Sequence, residues 1–324
     1  MSRGEFSELE DEIRELKKKR NALILAHYYQ TDEIQEIADK IGDSYFLAAE
    51  GQRSNADVII LSGVVFMAES VKILNPTKKV LAPDLDAGCS LVSGTPFEAF
   101  KKWRLDHPNG IAVTYINSSA EVKSVSDAIC TSSNAEKIIA SIPKDREILF
   151  GPDQNLGKWL IKKTGRDMIL WPGECEVHVL FSAQELFEMK LKNPGAAVIA
   201  HPECEEQVLA YADVIGSTSK LLESVKTLPN KKFIVATEEG IIYQMKKARP
   251  DAEFIQAPDQ EGCSCNRCPY MKKNSLEKIR DALLNLKPEI FIPEKLMKEA
   301  RVPLQRMMDI AAGKPVEWPR AAGV

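Results

Sequence analysis

The feature that most constrains the fold is a set of short apolar runs that each stop abruptly on polar residues. "ALILA" (22–26), "DVIIL" (57–61), "KVLA" (79–82), "GIAVT" (110–114), "EILF" (147–150), "AAVIA" (196–200) and "KFIVA" (232–236) are rich in Val, Ile and Leu and alternate with helical patterns. Continuous apolar runs of this length read as parallel strands buried on both faces, which implies an α/β fold. Open α/β sheets bind ligands beyond the carboxyl ends of their strands, so the polar residues that close these runs are the first candidates for a site.

The strand ends fall into three similar sets. They are "ILAHYYQ", "ADVIILSG" and "VLAPD"; then "AVTYINSS", "SDAICTSS" and "ILFGPDQN"; then "VIAHPECE", "ADVIGSTS" and "FIVATEEG". In each set a strand closes on His or Tyr, then an Asp-containing strand closes on Ser, Thr or Gly, then a strand closes on acids. The pattern predicts an internal triplication at a period of roughly 80–90 residues. Repeats are expected over 1–104, 105–187 and 188–271. The apolar spacing of Leu276, Ile279, Leu283 and Leu286 predicts that residues 272–324 form helices packing back on them. At the N-terminus, Ser7 and Glu10 match a capping box ahead of the stripe Leu9, Ile13 and Leu16.

Composition narrows the function classes. The chain of 324 residues is 44% hydrophobic and 28% charged with a net charge of −4, so it lacks the basic footprint of a nucleic-acid binder. No run approaches the ~20 apolar residues of a membrane span, and the charged N-terminus lacks the apolar core of a signal peptide. A cytoplasmic protein is expected.

Seven cysteines in such a chain call for an explanation other than disulfides. Cys89, Cys175 and Cys268 follow the three sets at close to the repeat length, so equivalent units would bring three thiolates together. Three thiolates without a fourth suit a 4Fe–4S cluster with one iron left open to substrate. The local alternative is a zinc or redox module in "CSCNRC", on Cys263, Cys265 and Cys268, although no second ligand pair stands nearby. Cys130 and Cys204 read as buried small hydrophobes. A dehydratase working on another acid would use the same open iron.

The ordered motifs "HYYQTDEIQEIAD", "GDS", "YINSSAEVKSVSDAICTSSNA", "GPDQNLG", "WPGECEVH", "HPEC", "GSTS", "ATEEG" and "CPYMKKN", from about residue 27 to 275, closely resemble the quinolinate synthase family. The resemblance implies three similar three-layer αβα domains with parallel sheets, in a pseudo-threefold arrangement around a central 4Fe–4S cluster. It implies condensation of iminoaspartate with dihydroxyacetone phosphate to quinolinate, with release of phosphate and two waters, in NAD biosynthesis. It assigns the cluster to Cys89, Cys175 and Cys268, the last being the least settled because Cys263 and Cys265 stand just upstream. His27 and Tyr29 would bind and protonate substrate. Tyr115 and Asn117 would orient it, and His201 and Glu203 would bind it and supply the base. Ser44, Ser132 and Thr218 would hold its carboxylate or phosphate oxygens. The lability of the imine suggests transient contact with an aspartate oxidase. Taken alone, Ser132 and Thr218 are equally well explained as helix caps, His107 as a surface turn residue and Tyr28 as packing. His178 receives no role, and Glu238 is a weaker candidate.

Overall fold

A computed structural model describes residues 3–260 and 266–319, with side chains from residue 7 onward; Cys263 and Cys265 lie outside the described residues. Among the described residues, twelve strands form three four-stranded, wholly parallel sheets. The first holds β1 (Ala22–His27), β2 (Lys40–Gly42), β3 (Val58–Ser62) and β4 (Lys79–Leu81). The second holds β5 (Ile111–Tyr115), β6 (Ala128–Cys130), β7 (Ile148–Gly151) and β8 (Ile169–Leu170). The third holds β9 (Ala197–Ala200), β10 (Val214–Ile215), β11 (Lys232–Ala236) and β12 (Glu253–Gln256). Strand orders are β2-β1-β3-β4, β6-β5-β7-β8 and β10-β9-β11-β12, one topology used three times. In this order the chain leaves the first strand toward one edge and returns toward the other. A crevice therefore opens at the carboxyl ends of the first and third strands of each sheet.

The register corrects the sequence reading of the first set. "ADVIILSG" was placed opposite "SDAICTSS" and "ADVIGSTS", but its strand, β3, occupies the place of β7 and β11. The true counterpart of β6 and β10 is β2, whose sequence Lys-Ile-Gly carries a single apolar side chain and gives no apolar signal. With this correction the strand partners align. His27 pairs with Gly42 and Tyr115 with Cys130, while Ala200, just before His201, pairs with Ile215. His27, Tyr115 and His201 thus hold one register position. Tyr29, Asn117 and Glu203 stand two residues beyond it, and Ser44, Ser132 and Thr218 follow the neighbouring strand.

A second correction concerns the N-terminus. Its helix runs Arg3–Lys19, so Ser7 lies inside it and is not a cap. The helix is held instead by its apolar stripe, with Leu9 and Ile13 buried against Ile24, Ile60, Leu81, Ile279 and Leu283. Truncating a wholly buried residue such as Ile13 to Ala costs about 2–5 kcal/mol in cores of this kind. The helix Leu276–Asn285 covers the same face of the first sheet, and Ser275 caps it by accepting the Lys278 N–H. The last helix, Glu294–Ala311, packs against the helices Val65–Leu74 and Ala120–Ser124 and against β6, bridging the first two sheets.

One aspartate ties the three units together. Asp43 caps the helix Ser44–Arg53, its Oδ1 accepting the Phe46 N–H at 2.9 Å. Its Oδ2 accepts the hydroxyls of Ser133, at 2.5 Å, and Ser219, at 2.7 Å, from the second and third units. Each partner is the sequence neighbour of Ser132 or Thr218. On another side, Gly240 lets the turn after β11 lie against the Tyr29–Gln30 backbone. A Cβ there would stand 2.9 Å from Gln30 O and from the Tyr29 carbonyl carbon.

Candidate active site

The twelve residues singled out from the sequence line one cavity. His27, Tyr29, Ser44 and Cys89 come from the first unit, and Tyr115, Asn117, Ser132 and Cys175 from the second. His201, Glu203 and Thr218 come from the third, and Cys268 from the segment after β12. The cavity and its open mouth together enclose about 660 Å³ of space not filled by protein atoms. Phe66, Met67 and Met271 supply apolar wall.

The backbone presents these side chains in a repeated way. His27 Nδ1 accepts the Tyr29 N–H at 3.2 Å, and His201 Nδ1 accepts the Glu203 N–H at 3.4 Å. Each ring is thereby held with its Nε2 free to act as a donor, and that of His201 lies 3.2 Å from Ser132 Oγ. Burial lowers His27 to about 4, against the pull of Asp43 and Glu203. Burial likewise lowers His201 to about 3, against the pull of Glu203. Both rings are neutral at pH 7. The Asn117 turn is clamped from behind by the buried Lys123 ammonium, which donates to Ile116 O at 2.9 Å and to Ser118 O.

A hydrogen-bonded chain crosses the site between units. Tyr29 Oη lies 2.6 Å from Thr237 Oγ1, which lies 3.0 Å from His178 Nε2; His178 Nδ1 lies 2.9 Å from Glu203 Oε2. Burial, reinforced by Glu203, raises Tyr29 well above the usual phenol range, so it is a protonated donor. Burial alone would raise Glu203, but His201 and His178 beside it, with hydrogen bonds from His178 and Tyr115, hold it well below the usual carboxylate range. With phenol at one end and carboxylate at the other, every bond in the chain points the same way: Tyr29 to Thr237, Thr237 to His178, His178 to Glu203. Sequence reasoning gave no role to Thr237, His178 or Asp43. Thr237 follows a strand, His178 follows the Cys175 loop and Asp43 precedes a helix, so none stands in a periodic pattern.

The three thiols form the second half of the site. Each is half-buried and unpaired, and each receives backbone N–H groups from the turn that follows it. Leu91 and Val92 face Cys89, His178 faces Cys175, and Tyr270 and Met271 face Cys268. Burial pushes Cys89 up to about 12 and Cys268 to about 11, and raises Cys175 well above its ordinary value. Thiolates here therefore need a bound cation, while the N–H groups already aim at charged sulfur. The set Cys89–Cys175–Cys268 does not converge closely enough for one ion. Among the described residues, only Cys175, His178 and Glu203 bring their ligand atoms within 4.8 Å of one another. Three separated thiols around one cavity fit a multinuclear group better than a mononuclear one. Cys130 and Cys204 are fully buried and do not line the cavity, so no fourth thiol joins the set among the described residues. Glu238 does line it, its Oε1 accepting the Cys268 N–H at 3.1 Å.

Comparison with known proteins decides the family. The family model described as quinolinate synthetase A protein matches residues 11–309. This chain belongs to the quinolinate synthase family. The quinolinate synthase of Prochlorococcus marinus (strain MIT 9303) is 54% identical over 303 residues, covering 94% of this chain and 91% of that protein. That of Nostoc punctiforme is 52% identical over 299 residues, 92% of each chain. That of Cyanophora paradoxa is 49% identical over 310 residues, 96% of this chain and 94% of the other. The chain is an enzyme of this type, and the expectation drawn from its ordered motifs stands. Among the described residues no helix is long and apolar enough to cross a membrane.

Proposed function

We propose that this quinolinate synthase condenses iminoaspartate with dihydroxyacetone phosphate, releasing phosphate and two waters, to supply quinolinate for NAD biosynthesis in the cytoplasm. Cys89, Cys175 and Cys268 would hold a 4Fe–4S cluster, and the three units, over 1–104, 105–187 and 188–271, would surround it with pseudo-threefold symmetry. The segment 272–324, with its helices Leu276–Asn285 and Glu294–Ala311, would complete the scaffold. The observation that carries the reading is the convergence on one cavity of three N–H-cradled thiols and a Tyr–Thr–His–Glu hydrogen-bond chain. When bound, the cluster would supply an electron-pair acceptor at its open iron, for a departing hydroxide or a carboxylate.

The protein's own groups handle protons and orientation. Glu203, ionised and beside His201, is the base for carbon-bound protons. Tyr29, once its hydroxyl turns from Thr237 to the substrate, returns a proton to oxygen, and the hydrogen bond from His178 keeps Glu203 ionised and placed to take the carbon proton. Ser44 and Thr218 each begin a ten-residue helix, where free N–H groups favour an anionic carboxylate or phosphate. Ser132, His27, Tyr115 and Asn117 fix the remaining polar atoms. Neutral His27 and His201 donate hydrogen bonds without the ion-pair strength that would trap a dianionic product. The buried walls exclude bulk water from an imine that hydrolyses readily. The same lability favours transient contact with an aspartate oxidase that makes it.

The test is quinolinate formation by protein loaded with iron and sulfide without oxygen, supplied with both substrates. Quinolinate in step with phosphate release is expected. Phosphate release alone, or turnover unaffected by removal of iron, would refute the reading.

A further inference from the structure

The cavity contains a second constellation of ligands, which shares one thiol, Cys175, with the first. Cys175 Sγ lies 3.2 Å from His178 Nδ1, which lies 2.9 Å from Glu203 Oε2. Thiolate, imidazole and carboxylate around a tetrahedral Zn²⁺, with bonds of about 2.0–2.3 Å, stand only a few tenths of an ångström farther apart than this. The imidazole already has an outer partner, since Thr237 Oγ1 sits 3.0 Å from Nε2, as metal-bound histidines require. His178 and Glu203 are almost wholly buried, so their positions are set before any ion arrives. All three residues line the cavity.

We propose that Cys175, His178 and Glu203 form a mononuclear site for a divalent borderline cation such as Zn²⁺, available whenever Cys175 is not engaged by a cluster. This rests on the reading of Cys175 as a cluster ligand. One ion there occupies a thiolate needed for the cluster and, at the same time, the relay histidine and the base. Zinc loading and cluster loading are therefore mutually exclusive, and a zinc-loaded chain is inactive. The proton balance is simple. Glu203 is already ionised; the Cys175 thiol releases one proton to solvent; the His178 ring proton moves from Nδ1 to Nε2, where Thr237 Oγ1 turns to accept it.

The test uses the full chain freed of iron, carrying Cys263→Ser and Cys265→Ser so that the upstream pair cannot bind the probe. Titration with Co²⁺ should give one equivalent of tetrahedral cobalt with a sulfur-to-cobalt charge-transfer band. Cys175→Ser should abolish the band, and His178→Ala and Glu203→Gln should each weaken binding at least tenfold. Cys89→Ser and Cys268→Ser should leave affinity within threefold. One equivalent of Zn²⁺ should displace the cobalt and block iron–sulfide loading. The proposal is overturned if the band survives Glu203→Gln and His178→Ala unchanged, or is lost in Cys89→Ser, which would place the ion on the thiols. Cobalt binding as described in a chain that never takes up iron and sulfide would instead refute the cluster reading and leave the mononuclear site standing.

Discussion

Asp43→Asn is a direct probe of how three units are made to share one cavity. The native carboxylate does three jobs: Oδ1 caps a helix through Phe46 N–H, while Oδ2 accepts the hydroxyls of Ser133 and Ser219. An amide has one accepting oxygen. If that oxygen keeps the cap, its NH₂ group faces two hydroxyls that must both turn away, exposed Ser133 toward solvent and Ser219 from a half-buried position. If it takes the serines, the cap is lost, at about 1 kcal/mol, and two bonds to a charged acceptor become neutral ones of about half the strength. Hydrogen bonds to charged groups contribute about 1.5–3 kcal/mol each, so either arrangement costs roughly 2–4 kcal/mol. The urea midpoint should fall accordingly without a change in slope. Because Ser132 and Thr218 adjoin the two serines, KM should also rise. In a double-mutant cycle, Ser219→Ala should cost less in the Asp43→Asn background than in the wild type. A midpoint within about 0.5 kcal/mol of wild type, or strict additivity in that cycle, would refute the idea that Asp43 joins the units.

Other consequences concern the site itself. Tyr29→Phe removes the donor at one end of the relay and should lower kcat by roughly 10²–10⁴-fold while leaving iron content unchanged; full activity would remove Tyr29 from proton transfer. Cys130→Ser buries a hydroxyl in apolar packing and should cost about 1–3 kcal/mol, while Cys204→Ser, whose hydroxyl can still donate to Ala236 O, should cost less; neither should lose iron, as checked by unfolding and metal analysis. The unfolded chain protonates His27 and His201 below about pH 6.5, whereas the fold resists until about 4 and about 3. The unfolded state therefore binds more protons in this window, and stability falls as pH drops from 6.5 toward 4, by about 2.5 kcal/mol per pH unit at the steepest. Urea midpoints across that range should show the slope, and His27→Gln should flatten it.

Much of this was legible in the sequence because buried parallel strands are continuous apolar runs, and seven of the twelve were visible that way. What was hidden had physical reasons. Strands β2 and β8 contain three and two residues, and β12 is partly exposed with a charged first residue. The polar start and single apolar residue of β2 also shifted the first repeat by one strand. The three cysteines and nine polar residues stood at strand ends or in loops that the repeat and the family motifs marked out. The relay depends on contacts between units: Thr237 meets Tyr29 across 208 positions of chain and His178 across 59. No local pattern encodes such distances, and Asp43 looks in sequence like any helix cap.

The central claim is that three distant cysteines share one cluster in this cavity. The most direct measurement is iron and acid-labile sulfide per chain, in protein purified without oxygen, for the wild type and for Cys89→Ser, Cys175→Ser and Cys268→Ser. About four of each in the wild type, with loss in every one of the three variants, is the predicted result. Iron retained in Cys89→Ser and Cys175→Ser, or zinc in place of iron in the wild type, would contradict it.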